Sequence, residues 1–222
     1  MAVAPEDTID FAIMYLTHDA FRRDLDRLEE AASAGQTDSD GVRAGWKNFI
    51  DQLHVHHAVE DAVLWPRVER AVAGRPEDLA LMSEMRAEHA LLDAPLNAID
   101  DAINRKSGDL IEQVKELSAV LTQHMTHEED KALPLIQEVL TPKDWSAFRS
   151  AMARRQGPKG AAMYVPWVMD GAGAEDKRNF LKAMPAPVAV INGLFWRRRY
   201  QKKRLWGSGL GTGSGRTAKE NS

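Results

Sequence analysis

The sequence predicts an all-α fold, an up-down-up-down four-helix bundle that carries a C-terminal helical extension. Three observations predict it. Glycine and proline are scarce before residue 141, and apolar residues recur at steps of three and four, as in Phe11, Met14, Tyr15, Phe21, Leu25 and Leu28. The periodic stretches are joined by short polar links, which make consecutive helices antiparallel neighbours.

The first helix is expected from about Asp7 to Ala34, ending in the Gly35–Gly41 stretch, and the second from about Val42 to Ala73, stopped by Gly74. A third starts at Pro76, a favourable first helical residue, and reaches about Lys106, with a kink expected at Pro95. The fourth begins after Ser107-Gly108 and runs to about Leu140. Each would be roughly 40 to 50 Å long at about 1.5 Å per residue. Thr141-Pro142-Lys143-Asp144 reads as a cap, a first-turn proline and an acidic third position, opening a shorter helix to about Arg155. After Gln156-Gly157-Pro158 the texture changes to short pieces broken by glycine and proline, with Trp167, Phe180, Leu181, Phe195, Trp196 and Trp206 as apolar anchors. The chain thus divides into a bundle with a fifth helix over 1–156, an extension over 157–206 expected to pack on the bundle, and a Gly/Ser/Thr-rich tail over 207–222 expected to be disordered.

Composition narrows the chemistry. With no cysteine, disulfides, thiolate zinc sites, iron–sulfur clusters and cysteine nucleophiles are excluded, so any metal must use nitrogen and oxygen ligands. No apolar run is long enough to span a membrane and the first ten residues are acidic, which makes a cytoplasmic location the default expectation. The net charge of -4 conceals an asymmetry. Residues 1–160 hold 18 Lys/Arg against 29 Asp/Glu, about -11, whereas residues 161–222 hold 11 against 4, a local +7. An acidic body argues against broad nucleic-acid binding. The cluster Arg197-Arg198-Arg199-Tyr200-Gln201-Lys202-Lys203-Arg204, preceded by Val188 to Trp196, offers anionic membrane contact as an alternative to covering acidic neighbours or remaining solvated.

The chemistry lies in an internal repeat. An offset of 68 places His56-His57-Ala58-Val59-Glu60-Asp61 over His124-Met125-Thr126-His127-Glu128-Glu129, sharing His-x-x-x-Glu, and continues to Pro66 over Pro134. An offset of 71 places Met14 and His18 over Met85 and His89, and Leu25 and Leu28 over Leu96 and Ile99. Two helical hairpins repeat one plan: a lone histidine on the first helix and His-x-x-x-Glu on the second. Residues four apart share a helix face, so each pair can serve one site, and packing the hairpins together converges four imidazoles and two carboxylates on the core. One buried histidine is ordinarily a hydrogen-bonded core residue. Six ionisable groups in duplicated order are different, because burying them without a compensating cation is strongly destabilising. They are therefore expected to bind metal.

On these residues, His18, His56-x-x-x-Glu60 running into Leu64-Trp65-Pro66, His89, and His124-x-x-x-Glu128 running into Leu133-Pro134, the sequence resembles the haemerythrin-like family in its bacterial histidine-histidine-glutamate branch, over about residues 7–140. The resemblance implies a cofactor of two non-haem Fe ions, oxo- or hydroxo-bridged, with metal ligands His18, His56, Glu60, His89, His124 and Glu128. The oxygen carriers of the family place two histidines four apart on the third helix, whereas His89 has Met85 on one side and Asp93 on the other. His54, His57, Asp93 and His127 remain as extra ligands, hydrogen-bond partners of ligands, or solvated residues. Open metal positions would suit dioxygen, peroxide or nitric oxide, as a carrier or sensor, a peroxidase-like or nitric-oxide-consuming enzyme, or an iron-handling module.

Overall fold

The computed structural model describes residues 8–105 and 108–207, and among these every regular element is helical. The tail expected to be disordered lies, beyond Gly207, outside the described residues, as do Asp7 and the Lys106-Ser107 link. Helix α1 (Ala12–Ser33) starts later than its periodicity suggests because Asp10 Oδ1 accepts the Ala12 N–H at 2.8 Å, a local turn that competes with helix. Helix α2 (Asp40–Val59) is capped by Ser39, whose hydroxyl accepts from the Val42 N–H at 3.2 Å.

The second and fourth long stretches are not uniform α-helix. α2 runs through a π-helical turn, Glu60–Leu64, into α3 (Trp65–Ala71). The fourth stretch, α6 (Leu110–His127), likewise runs through Glu128–Ala132 into α7 (Leu133–Val139). In each turn an N–H reaches back five residues, Trp65 to Glu60 and Leu133 to Glu128. The next residue in each case is proline, Pro66 or Pro134, which has no N–H and whose ring crowds the carbonyl four residues back. A widened turn relieves that clash. The third stretch is two helices, α4 (Pro76–Leu91) and α5 (Asp93–Arg105): where a kink at Pro95 was expected, the chain breaks at Leu92, because Pro95 cannot donate to the Leu91 carbonyl. At Thr141 both halves of a capping box form, Asp144 N–H to Thr141 Oγ1 at 3.2 Å and Thr141 N–H to Asp144 Oδ2 at 3.1 Å. They open α8 (Pro142–Val168), which is interrupted at Gly157, φ 61° and ψ 177°.

The core falls into two apolar clusters. One joins Phe21, Leu25 and Leu28 of α1 to Phe49 and Leu53 of α2, Leu96 and Ile99 of α5, and Leu117 and Leu121 of α6. The other joins Met14 to Leu64, Trp65, Met82, Met85, Leu133 and Ile136. On each long stretch a histidine lies at or next to the boundary: His18 between Met14 and Phe21, His56 between Leu53 and Val59, His89 between Met85 and Leu92, and His124 beside Met125, the last residue of the first cluster before Ala132.

Residues 158–207 complete the first cluster. Trp167, fully buried, packs 5.2 Å from Phe21 between ring centroids and donates Nε1–H to Asp24 Oδ2 at 2.8 Å. Beyond α9 (Ala174–Lys182), α10 (Ala186–Ile191), a π-helical turn (Asn192–Trp196) and α11 (Arg197–Lys203) form one continuous rod. Trp206 inserts beside α2 where Gly45 allows it, since a Cβ on Gly45 would collide with the indole ring. One anchor expected from sequence is corrected: Phe195 is 65% exposed, on the outward face of the rod, and does not pack on the core. No helix among the described residues is long and apolar enough to cross a membrane.

Trp167 ties α8 to α1 through both packing and a buried hydrogen bond, so Trp167→Ala is expected to destabilise the full chain by about 3–5 kcal/mol in denaturant titration, with helical circular dichroism retained in buffer.

Candidate metal centre

Helical spacing sets the first contacts. His56 and Glu60, four residues apart at the end of α2, approach at 3.1 Å between Nε2 and Oε1. His18 from α1 meets them, its Nε2 3.2 Å from His56 Nε2 and 3.2 Å from Glu128 Oε2. His89 Nε2, from α4, lies 3.6 Å from Glu60 Oε2. Glu60 therefore turns one oxygen toward His56 and the other toward His89.

Two triads have ligand atoms within 4.8 Å of one another and can each hold a cation: His18, His56 and Glu128, and His57, His89 and His124. All six residues singled out from sequence thus lie in one buried group, with Glu60 between the triads. His57 joins them. Its ring stacks on His89 at 3.9 Å and meets His124 edge-on at 5.3 Å. Among the other three candidates, His54 and Asp93 are exposed, and His127 turns away to pair with Glu88 at 2.7 Å.

Three of the imidazoles are oriented by carboxylates outside the group. His18 Nδ1–H donates to Glu129 at 2.9 Å, His89 Nδ1–H to Asp61 at 3.1 Å and His124 Nδ1–H to Glu88 at 2.9 Å. Each bond orients the ring, turning Nε2 inward, the orientation a metal requires. Asp61 and Glu129 correspond under the 68-residue repeat, so each hairpin's acid holds the other hairpin's lone histidine. This acid immediately after each His-x-x-x-Glu was the signal in the sequence for these partners. Glu88 had none beyond its position next to His89.

The donor set fits a cation because most of its inward atoms make no hydrogen bond. Both oxygens of Glu60 and of Glu128, and Nε2 of His57, His89 and His124, are buried without a hydrogen-bond partner. Unsatisfied polar atoms at this depth are rare in folded proteins. Burial pushes the Glu60 carboxyl well above its ordinary range, and the Glu128 charge adds to the shift. For Glu128 burial acts in the same direction, but His18 overrides it and brings the group down to about 2. Burial would lower His18, yet Glu128 and then Glu129 raise it to about 9. Burial, followed by neighbouring imidazoles, holds His56 and His57 well below their usual value, neutral and able to donate a lone pair.

A model of the Hemerythrin HHE cation binding domain matches residues 10–136. The chain belongs to this family. No curated protein and no solved structure matches it. The six residues of the two triads and Glu60 all fall inside the matched range. Beside them a cavity of 480 Å³, lined by Met14, Thr17, His56, Phe148, Tyr164 and Val188 among others, separates the haemerythrin domain from later parts of the chain. Within it Thr17 donates to the Ile13 carbonyl and so accepts from the Tyr164 hydroxyl, both at 2.8 Å. Burial pushes that phenol up to about 12, keeping it a neutral donor.

The shifts give a sign for the metal-free chain. His18, raised from 6.5 to about 9, contributes stability that is complete below pH 6.5 and is lost as pH rises through 9. Glu60, raised by burial, acts in the same direction, while His56 and His57 are already neutral above pH 6.5. Thermal melts of metal-free protein should therefore fall by several degrees between pH 6.5 and 9, and a flat profile over that interval contradicts the assignment.

Proposed function

We propose that the chain is a non-haem di-iron protein, acting in the cytoplasm, that binds dioxygen or reacts with peroxide or nitric oxide. In this reading His18 and His56 hold one iron, His57, His89 and His124 hold the other, and Glu60 and Glu128 are shared between them. The observation that carries it is the set of buried nitrogen and oxygen atoms converging from the four long stretches, most of them without a hydrogen-bond partner. Thiolate-free His and Glu donors suit iron, manganese or zinc, and paired His and Glu on facing helices of one bundle are the pattern of di-iron and di-manganese carboxylate proteins.

The reading includes an up-down-up-down arrangement of the four long stretches, ending with residues 33, 71, 105 and 139. Its support is the order in which each crosses the two apolar clusters. α1 passes from Met14 to Phe21, α2–α3 returns from Phe49 to Val68, α4–α5 goes from Met82 to Ile99, and α6–α7 returns from Val114 to Ile136.

An iron pair, when bound, supplies redox chemistry toward dioxygen, peroxide or nitric oxide. The protein's own part is to orient His18, His89 and His124 with Nε2 inward through Glu129, Asp61 and Glu88. It also sets an apolar cavity with one phenolic donor beside His56, a space suited to small, weakly polar ligands.

Full-length protein reconstituted with ferrous iron should contain nearly two irons per chain. His56→Ala and Glu60→Gln should each lose at least half of the metal, while His54→Ala, at an exposed position, should lose none; a wild-type chain that stays metal-free or retains only zinc overturns the reading. Asp61→Asn and Glu129→Gln should lower iron affinity roughly 10–100-fold through the histidines they hold. Peroxide consumption by the loaded form favours an enzyme, a reversible oxygen spectrum without turnover favours a carrier or sensor, and inertness to both leaves iron handling.

A further inference from the structure

We propose that the outward face of the terminal helical rod, residues 186–203, docks on an anionic lipid bilayer, lying in the headgroup interface without crossing it. This assignment goes beyond the iron reading and does not depend on it.

The rod has two faces. At about 1.5 Å per residue it is roughly 27 Å long. Its inner side is committed to the protein: Asn192 and Tyr200 are buried, Val188 and Trp196 pack on the first apolar cluster, and the Tyr200 hydroxyl donates to Asp170 at 3.0 Å. Its outer side is not. Six large hydrophobic residues are exposed among the described residues, and four of them, Val190 (60%), Ile191 (37%), Leu194 (57%) and Phe195 (65%), fall on two adjacent turns of this rod. Such concentration marks a contact surface, since scattered exposed apolar residues need no explanation but a contiguous ridge does.

The next two turns carry the charge. Arg197, Arg198, Arg199, Lys202, Lys203 and Arg204 are all exposed, and none forms an ion pair among the described residues. No Asp or Glu occurs between Asp176 and Glu220, so the local sequence supplies no neutralising partner. Apolar side chains that enter the acyl boundary, followed by cations at headgroup level, form the arrangement of an interfacial helix. The long Arg and Lys stems extend the reach of the charges while their own methylenes cover apolar surface.

Other occupants fit less well. A second copy docking through the same face would oppose two sets of six cations across a twofold axis. A nucleic acid would use the cations but leave Val190, Ile191 and Leu194 without a role. Spanning is excluded by the charges and by the helix's mean apolarity.

The full chain should sediment with vesicles of phosphatidylcholine and phosphatidylglycerol at 3:1 and remain in solution with phosphatidylcholine alone, with affinity falling as salt rises. Each basic residue replaced by Gln in Arg197, Arg198 and Arg199 should weaken binding about fivefold. Leu194→Ser with Phe195→Ser should weaken it tenfold or more with the salt dependence preserved, and both positions are exposed, so the fold should stay intact by circular dichroism. Equal binding to neutral and anionic vesicles, or none to either, overturns the proposal. So does tight binding to duplex DNA that the serine variant leaves unchanged, or a concentration-dependent dimer that the serine variant abolishes without any vesicle binding.

Discussion

Glu60 and Glu128 sit side by side in the interior, both fully buried, among five imidazoles and between two apolar clusters. Two carboxylates removed from water cost several kcal/mol each unless something compensates them. The chain spends charge asymmetrically to reduce that cost: Glu128 stays ionised against His18, while Glu60 is driven toward its neutral form. A cation between the triads would remove the need for this compromise, and the rest of the fold is consistent with being built around one. The ionisable layer crosses all four long stretches at a single level, with apolar packing on both sides to bear the cost of holding it.

The duplicated prolines make sense in the same terms. Pro66 and Pro134 each follow the buried glutamate of their hairpin, Glu60 or Glu128, by six residues, and each is preceded by a π-helical turn that begins at that glutamate. A regular α-helix would have needed a hydrogen bond that proline cannot supply. The widened turn moves the backbone locally instead, and π-helical turns of this kind recur at functional sites. The same turn begins on the residue whose carboxylate must face the core, so the constraint of the proline and the placement of the ligand are solved together.

Much of this was legible before any coordinates. His18, His56, Glu60, His89, His124 and Glu128 could be read because each obeys a rule of spacing within one helix and because the plan occurs twice. His57 could not. It lies one residue from His56, about 100° around an α-helix with 3.6 residues per turn, and only the neighbouring α4 brings His89 against it. Asp61 and Glu129 stood in the aligned repeat, but their partners come from the opposite hairpin, which local periodicity does not reach. The helix count was less legible, since the Leu92 break and the two π-helical turns arise from how the prolines are accommodated. Phe195 was misread for a related reason: apolar texture shows that a helix has something to bury, and not which of its residues meet the host.

The extension decides what the shared centre is exposed to. The family match ends at residue 136, and every residue that turns inward toward the cation triads lies before that limit. The cavity beside His56 is walled differently. Met14 and Thr17 come from the matched domain, but Phe148 and Tyr164 come from α8 and Val188 from the start of the terminal rod. Trp167, held on Asp24 and Phe21, fixes where that wall stands. The candidate donor set thus lies wholly inside the matched domain, whereas much of the wall of the adjoining space and its single phenolic donor come from residues beyond it. The candidate centre and much of the cavity wall at its flank are encoded in separate stretches of sequence, joined by a few buried aromatic contacts.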